Sequence, residues 1–313
     1  MHLHIAQIGT GRVGRPTAYT IMCSKIAEKL TLCDVKPNLA AAHAEELKHV
    51  TASVGIEVEI NSCEKDEDIA EADLIMISAG APRTPGVKMT RRDLAVQNAK
   101  IIKQVSEATV SKNPDAKYIV ITNPVDAMAM VCKKYTKANF VISTGTNLES
   151  LRFRSKVAQI LGVPVSEVTG WVGGEHGDSA IPLWSTVKIF NLPIEEYASS
   201  KKQIIPKDEI TSYVKTVSKF IVDNIGGTEF GPAASFRDIA RAIANNTRET
   251  FPVATPMRFK DIPEEVFIGM PISLGLNLGV VVFDKLLKNE QDAIGEAAKV
   301  IYQTYVAAIK GIE

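Results

Sequence analysis

The segment GEHGDS, residues 174–179, contains the residue types that acid–base chemistry needs. It holds one of only five histidines in the chain, His176, and follows an apolar run, Val168 to Val172, that predicts a strand. A histidine can hold or release a proton near neutral pH. The flanking glycines leave room for a small ligand to approach the ring. The segment therefore predicts a catalytic histidine after a strand, with a loop histidine of no special role as the alternative.

A second group of residues has the spacing of a dinucleotide-binding turn. The apolar run Leu3 to Ile8 ends in GTGRVG, residues 9–14, and a helical pattern from Pro16 to Lys29 follows. In such a turn the first glycine permits the bend, the second lets backbone approach a pyrophosphate, and the third lets the helix pack on the strand. The helix N-terminus then supplies N–H donors to the phosphates.

The acidic residue Asp34 completes this motif. It ends the second predicted strand, Leu30 to Cys33, twenty residues after Gly14. An acid at that distance binds the hydroxyls of the adenosine ribose. Its carboxylate would also repel the additional phosphate of NADP, so the sequence predicts NAD as the cofactor.

The elements that must position these groups alternate between strand and helix. Such alternation predicts a parallel, doubly wound sheet, with ligands bound at the carboxyl ends of its strands. After residue 143 the pattern becomes mixed, which predicts a second domain with a twisted antiparallel sheet and packed helices. We therefore expect domains at residues 1–143 and 144–313. The predicted elements include the strands Ile56–Ile60 and Val266–Ile268 and the helices Leu151–Leu161 and Asn289–Ile312.

Composition restricts the class of partner. Lys+Arg and Asp+Glu number 36 each in 313 residues, so the chain lacks the basic excess that holds nucleic acid. The longest apolar runs fall short of the roughly 18 residues that span a bilayer. The four cysteines have no Cys-x-x-Cys spacing, which predicts reduced thiols and no metal site. The N-terminus lacks a secretion-signal pattern, so a cytoplasmic location is expected.

Seven segments together resemble the lactate/malate dehydrogenase family, over the whole chain and in the family's order. They are GTGRVG with Asp34, SAGAPRTPG, MTRRDL, ITNPVD, GTNLESLRFR, GGEHGDS and GGTEFGPAA. The resemblance implies a Rossmann domain followed by a mixed α/β catalytic domain. It also implies reversible hydride transfer between NAD(H) and a 2-hydroxy acid.

The resemblance assigns roles to individual residues. It makes His176 the proton donor to the substrate carbonyl, Glu149 the acid that holds the histidine, and Arg91 the cation that polarises the carbonyl. The substrate-binding positions it implies are Arg83, Arg152, Asn123 and Thr228. The cofactor-binding positions it implies are Gly9, Gly11, Arg12, Val13, Gly14, Asp34, Gly80, Asn98 and Asn123.

The chemistry of these side chains agrees with the assigned roles. Reduction of a 2-oxo acid needs a proton donor, a cation near the carbonyl oxygen that becomes negative, and a planar bidentate donor for the carboxylate. A histidine and two arginines supply these. Arg91 also opens a predicted helix, where the helix dipole disfavours a cation, and this favours a functional role.

Two positions depart from the family pattern. Glu149 stands where the family has aspartate, so the acid beside the histidine is one methylene longer. Asp126 and Asp178 are the alternative acids near the ring. Val87 and Lys88 are two additional residues in the loop from Ala81 to Thr90, whose glycines and prolines predict a mobile cover over the substrate.

Arg83 favours oxaloacetate as the substrate. In the family this position is commonly arginine in malate enzymes and glutamine in lactate enzymes. Oxaloacetate brings two carboxylates into the closed site, and burying the second one without a cation would cost several kcal/mol. We therefore expect an NAD-dependent malate dehydrogenase of the tricarboxylic acid cycle. We also expect a homo-oligomer, a tetramer rather than a dimer.

Other functions are the alternatives. The first is dehydrogenation of L-lactate or another 2-hydroxy acid. A non-catalytic NAD-binding sensor would need the nucleotide half alone. The spacing of Tyr197 and Lys201 also fits the Tyr-x-x-x-Lys of short-chain reductases, although polar neighbours predict a solvated helix end there. An NAD-dependent glycosidase would need metal ligands.

Overall fold

A computed structural model of the chain describes residues 3–81 and 91–313, with Arg91 described by its backbone alone. Within this part, one continuous twelve-stranded sheet runs through the molecule, in the order β3-β2-β1-β4-β5-β6-β10-β11-β7-β8-β9, with β12 paired to β11. The α/β fold class predicted from the sequence is confirmed. No helix of the described residues is both long and apolar enough to cross a membrane.

The nucleotide half is a parallel sheet between helices. Its strands are β1 (His4–Ile8), β2 (Lys29–Cys33), β3 (Glu59–Cys63), β4 (Leu74–Ile77), β5 (Lys117–Val120) and β6 (Val141–Ser143). Its helices are α1 (Gly14–Cys23), α2 (Leu39–Val54), α3 (Arg91–Val110) and α4 (Val125–Thr136). The central strand β4 is a continuous apolar, buried run because helices cover both faces of a parallel sheet there.

The second half continues the same sheet with antiparallel strands. They are β7 (Val168–Gly174), β8 (Ala180–Ile189), β9 (Leu192–Pro193), β10 (Thr250–Met257), β11 (Val266–Leu274) and β12 (Leu278–Val281). The helices are α5 (Asn147–Leu161), α6 (Ile194–Lys201), α7 (Lys207–Ile225), α8 (Phe230–Ala244) and α9 (Lys288–Lys310). A single residue pair, Ser143 with Ala254, joins the two parts of the sheet. The domain boundary after residue 143 stays a prediction.

Several predicted boundaries were wrong. Helix α1 ends at Cys23 and not at Lys29, because the chain turns at Lys25 with a positive φ of 55°. The apolar Ile26 was assigned to the helix although it is buried in the turn before β2. Strand β3 occupies residues 59–63 and not 56–60.

Two elements are longer than the sequence predicted. Helix α5 begins at Asn147 and not at Leu151, since the carboxylate of Glu149 suits the positive end of a helix dipole. Strand β11 extends to Leu274 beyond the predicted end at Ile268. The predicted solvated helix end at Tyr197 was also wrong for that side chain, which is buried and packs against Phe190 with a ring separation of 6.1 Å.

Candidate active site

The glycine turn follows β1 and opens α1 as the sequence predicted. Gly9 has a φ of +85°, and a Cβ there would lie 2.5 Å from the backbone nitrogen of Ala79. A Cβ on Gly14 would lie 1.8 Å from the Gly9 carbonyl oxygen. In contrast, a Cβ on Gly11 would meet no atom of the described residues within 4 Å. The middle glycine therefore presents bare backbone to open space, as an approaching pyrophosphate requires.

Asp34 is fixed against this turn. Its Oδ2 accepts hydrogen bonds from the Thr10 backbone N–H at 2.8 Å and from the Thr10 hydroxyl at 3.1 Å. Its Oδ1 accepts a hydrogen bond from the Lys36 N–H at 3.0 Å. The carboxylate thus lies beside the glycine turn at the carboxyl end of β2, where the motif expects the adenosine ribose.

Arg12 has a partner that the sequence did not indicate. Its Nη1 donates to the Ile225 carbonyl at 3.0 Å and to Glu229 Oε1 at 2.8 Å. These contacts join the glycine turn to the α7–α8 connection, where Thr228 lies half-buried. Val13 is the residue before α1 and is also half-buried.

Three predicted residues meet where β4 and β5 end. Asn98, on α3, is buried and its Oδ1 accepts a hydrogen bond from the Ala81 N–H at 2.7 Å. Its Nδ2 donates to the Asn123 carbonyl at 2.5 Å. A Cβ on Gly80 would lie 3.0 Å from Thr122 Cγ2, so a larger residue would crowd this junction. Asn98 therefore joins the two loops that the sequence placed at the cofactor.

The histidine, the acid and one arginine form a chain of contacts. His176 Nδ1 lies 3.1 Å from Glu149 Oε2, and Arg152 Nη1 donates to Glu149 Oε1 at 3.4 Å. Helix α5 carries Glu149 and Arg152 three residues apart, so both side chains lie on one face. The Glu149 side chain is only 5% exposed and His176 keeps 23%. Since Nδ1 contacts the carboxylate, Nε2 is the nitrogen that can serve a substrate.

The electrostatics of this group favour a charged histidine. Burial disfavours the imidazolium, but the charge of Glu149 and its hydrogen bond outweigh burial and raise the pKa of His176 to about 9. Burial likewise raises the pKa of Glu149, and the charges of His176 and Arg152 overcome this and hold it below its usual range. The pair can therefore present a proton at neutral pH.

Asp126, which the sequence offered only as an alternative acid, also lies at the histidine. It is fully buried in the first turn of α4, and its Oδ2 accepts a hydrogen bond from the His176 backbone N–H at 2.8 Å. Its Oδ1 accepts from the Ser143 hydroxyl at 2.7 Å. Burial raises the pKa of Asp126 to about 6, against the opposing hydrogen bond from His176. The sequence signal was the acid that ends ITNPVD, the segment directly after β5.

Two predicted site residues cannot be placed by the structure. Arg83, like Val87 and Lys88 and most of the predicted mobile loop, lies outside the described residues, and of Arg91 only the backbone at the start of α3 is described. Among residues 3–81 and 91–313, no group of three or more His, Cys, Asp or Glu side chains could hold a metal ion.

Comparisons with known proteins agree with this geometry. Residues 3–140 match the model for the lactate/malate dehydrogenase NAD binding domain, and residues 146–305 match that for the alpha/beta C-terminal domain. A malate dehydrogenase of Sulfolobus acidocaldarius is 37% identical, over 99% of this chain and 98% of the relative. An L-2-hydroxycarboxylate dehydrogenase (NAD(P)(+)) of Methanocaldococcus jannaschii is 34% identical, over 97% of each.

Solved structures give the same result. A lactate dehydrogenase from a Medee basin deep-sea metagenome library superimposes with a TM-score of 0.92 at 28% identity, over 99% of this chain and 100% of that one. Both halves of the chain, their order and their nucleotide turn are thus those of NAD-dependent 2-hydroxy acid dehydrogenases. The chain belongs to the lactate/malate dehydrogenase family.

Proposed function

We propose that this protein is an NAD-dependent malate dehydrogenase that reduces oxaloacetate reversibly to L-malate. The observation that carries the chemistry is the contact of 3.1 Å between His176 Nδ1 and Glu149 Oε2. It orients the ring and stabilises the imidazolium, as carboxylate–histidine pairs do in other enzymes. NAD(H) supplies or accepts the hydride when bound.

The residues have the following proposed roles. His176 donates its proton to the carbonyl oxygen during reduction and removes it during oxidation. Arg91 stabilises the negative charge on that oxygen. Arg152 binds the substrate's C1 carboxylate with its planar guanidinium, and Asn123 and Thr228 line the remaining pocket. Arg152 contacts Glu149, and its side chain is 12% exposed. The C1 carboxylate of the substrate can therefore still reach the guanidinium.

The preference for oxaloacetate rests on Arg83. Arg83 lies outside the described residues, and its charge and its place in the sequence support this preference. Oxaloacetate brings two carboxylates into the site, and Arg83 is the cation for the second. Pyruvate has a methyl group there and would bury the guanidinium without a partner. The malate dehydrogenase name of the 37% identical relative supports this choice.

The deciding experiment compares two substrates. We expect kcat/KM for oxaloacetate to exceed that for pyruvate by at least about 10³, or roughly 4 kcal/mol. Arg83→Gln should remove most of this preference. Arg92→Gln, a change at an exposed neighbour on α3, is the control and should leave the ratio unchanged. If the parent reduces pyruvate as well as oxaloacetate, the lactate alternative replaces the malate assignment.

The setting of the enzyme is also part of the proposal. We infer a cytoplasmic homotetramer that acts in the tricarboxylic acid cycle. Apolar side chains exposed in the single chain support self-association, among them Phe220 at 69% and Phe230 at 80%. Light scattering coupled to size exclusion would measure the mass, and a monomer of 34.0 kDa at micromolar concentration would contradict the assembly.

A further inference from the structure

Two cysteines that are distant in the sequence are partners in the sheet. Cys33 is the last residue of β2, Cys63 is the last residue of β3, and the two are direct register partners. The two thiols shift each other's pKa, upward for Cys33 and downward for Cys63. Partners in adjacent strands lie about 4.8 Å apart, inside the range of about 4.4–6.8 Å that Cα atoms of disulfides span. The spacing of the cysteines in the sequence did not indicate this pairing.

The backbone of the same two residues positions the cofactor turn. The Cys33 carbonyl accepts a hydrogen bond from the Gly9 N–H at 2.8 Å. The Cys63 carbonyl accepts a hydrogen bond from the Asp34 N–H at 3.2 Å. Any movement of the two strand ends is therefore passed to the first glycine of the turn and to the acid proposed to hold the adenosine ribose.

We propose that Cys33 and Cys63 form a redox-modification site, at which oxidation by a peroxide creates a disulfide that weakens NAD(H) binding. The inference rests on the proposed role of Asp34 in binding the cofactor. It does not depend on which 2-oxo acid the enzyme reduces.

The two thiols differ in a way that suits stepwise oxidation. Cys63 is half-buried and Cys33 is fully buried, so Cys63 is the one that an oxidant reaches. The hydrogen bond from Cys33 holds the pKa of Cys63 below its usual range, against burial and the nearby charges of Asp68 and Asp66. That hydrogen bond, burial and the charges of Cys63 and Asp66 raise the pKa of Cys33.

The proton of Cys33 has an acceptor within reach. The Cys33 thiol donates a hydrogen bond to Asp66 Oδ1 at 3.6 Å. Burial raises the pKa of Asp66, and this carboxylate is 7% exposed. A basic group thus lies next to Cys33 to accept its proton when its sulfur reacts.

The reaction balances with hydrogen peroxide as the oxidant. The Cys63 thiolate attacks one peroxide oxygen, the O–O bond breaks, and Cys63 becomes a sulfenic acid as one water leaves. The Cys33 sulfur then attacks the Cys63 sulfur, the S–O bond breaks, and a second water leaves as the S–S bond forms. Two thiols lose two electrons and two protons, and the peroxide is reduced to two waters.

Sheet geometry predicts that this disulfide is easily reduced. The side chains of register partners in parallel strands stay about as far apart as the strands, which exceeds the usual Cβ separation of a disulfide of about 3.8 Å. The strand ends must therefore shift towards each other, and such strain makes a disulfide more oxidising and more labile.

The test oxidises the full-length enzyme with hydrogen peroxide and then measures its mass, its thiols and its NADH affinity. We expect the loss of two hydrogen atoms, a peptide that joins Cys33 to Cys63, and an NADH Kd raised by at least about tenfold. Dithiothreitol should restore the Kd. Cys23→Ser, at an exposed unpaired cysteine, is the matched control and should respond as the parent does.

The variants distinguish the outcomes. The NADH Kd of Cys63→Ser should lie within about twofold of that of the reduced parent, and peroxide should no longer raise it. Cys33→Ser is a second test of the same loss. Absence of the joined peptide, or a joined peptide with an unchanged Kd, would overturn the proposal. Asp34→Ser tests the cofactor assignment separately. If it weakens NADH binding although the disulfide does not, only the redox inference has failed.

Discussion

At the residue scale, His176 is the group on which turnover depends. His176→Asn keeps a polar side chain but removes the titratable ring. We expect kcat to fall by about 10² to 10⁴, because acid–base help is lost, while the NADH Kd stays nearly constant. Steady-state kinetics and NADH fluorescence titration measure the two quantities. Equal losses in both would instead point to a structural role.

The high pKa of His176 predicts a pH dependence of opposite sign for the two directions. Reduction needs the imidazolium, so kcat/KM for oxaloacetate should be level below about pH 9 and fall above it. Oxidation needs the neutral ring, so kcat/KM for L-malate should rise towards about pH 9 and then level off. Initial rates between about pH 6 and about pH 10 measure both limbs.

Glu149 is the cause of that pKa, and its substitution gives a readout that a purely structural role would not move. Glu149→Gln removes the charge that stabilises the imidazolium, so the inflection should shift from about pH 9 towards the ordinary value of histidine. Glu149→Asp keeps the charge and is the matched control, with an inflection above that of Glu149→Gln. An inflection that does not move in Glu149→Gln would show that Asp126 sets the pKa.

The residues of the site that lie within sequence motifs were predictable. The segments GEHGDS and LESLRFR supplied His176, Glu149 and Arg152, and the structure brings all three into contact. The sequence offered Asp126 only as an alternative acid, because its contacts to the His176 backbone and to Ser143 join parts of the chain that are distant in sequence.

At the scale of elements, two glycines in the turn between β1 and α1 serve different purposes: Gly14 allows tight packing, and Gly11 allows the cofactor to approach. Gly14→Ala would place a methyl group 1.8 Å from the Gly9 carbonyl oxygen. We expect it to lower the free energy of unfolding by about 3 kcal/mol, at the upper end of the usual cost of overpacking. Urea denaturation measures this, and a Gly14→Ala variant as stable as the parent would contradict the tight packing.

Gly11→Ala is the matched change at the other side of the turn. A methyl group there meets no described atom within 4 Å, so the free energy of unfolding should change by less than about 1 kcal/mol. The same methyl group would occupy the approach of the pyrophosphate, so NADH affinity should fall by at least about tenfold. Fluorescence titration with NADH checks this, with the urea midpoint as the control for folding.

The order of elements was predictable because alternation of strands and helices is a strong local signal. The ends of elements were not. Lys25 stops α1 through a positive φ that no local pattern required, and Asn147 starts α5 four residues early because its first turn holds a carboxylate. The register that sets Cys33 beside Cys63 is a tertiary feature and leaves no trace in sequence spacing.

At the scale of the whole molecule, Asp126 joins the two halves. It lies on α4 of the nucleotide half and accepts hydrogen bonds from the backbone of His176 and from Ser143. Asp126→Ala would leave both donors buried without this acceptor, and the free energy of unfolding should fall by about 3 kcal/mol. Asp126→Asn keeps one acceptor oxygen and should lose less. Urea denaturation measures both, and an equal loss would contradict the hydrogen-bonding explanation.

The single sheet also has a consequence for synthesis of the chain on the ribosome. Strand β6 ends at Ser143, but its outer neighbour, β10, pairs with it through Ala254. More than one hundred residues must therefore be translated before that edge is covered, which takes roughly 5–20 s at about 5–20 residues per second. During this interval β6 is an open edge of the nascent nucleotide half. It consists of three residues, Val141–Ser143, that are buried in the complete protein. A short edge offers few unpaired backbone groups to another chain. The three-residue length of β6 thus limits mispairing between neighbouring nascent chains.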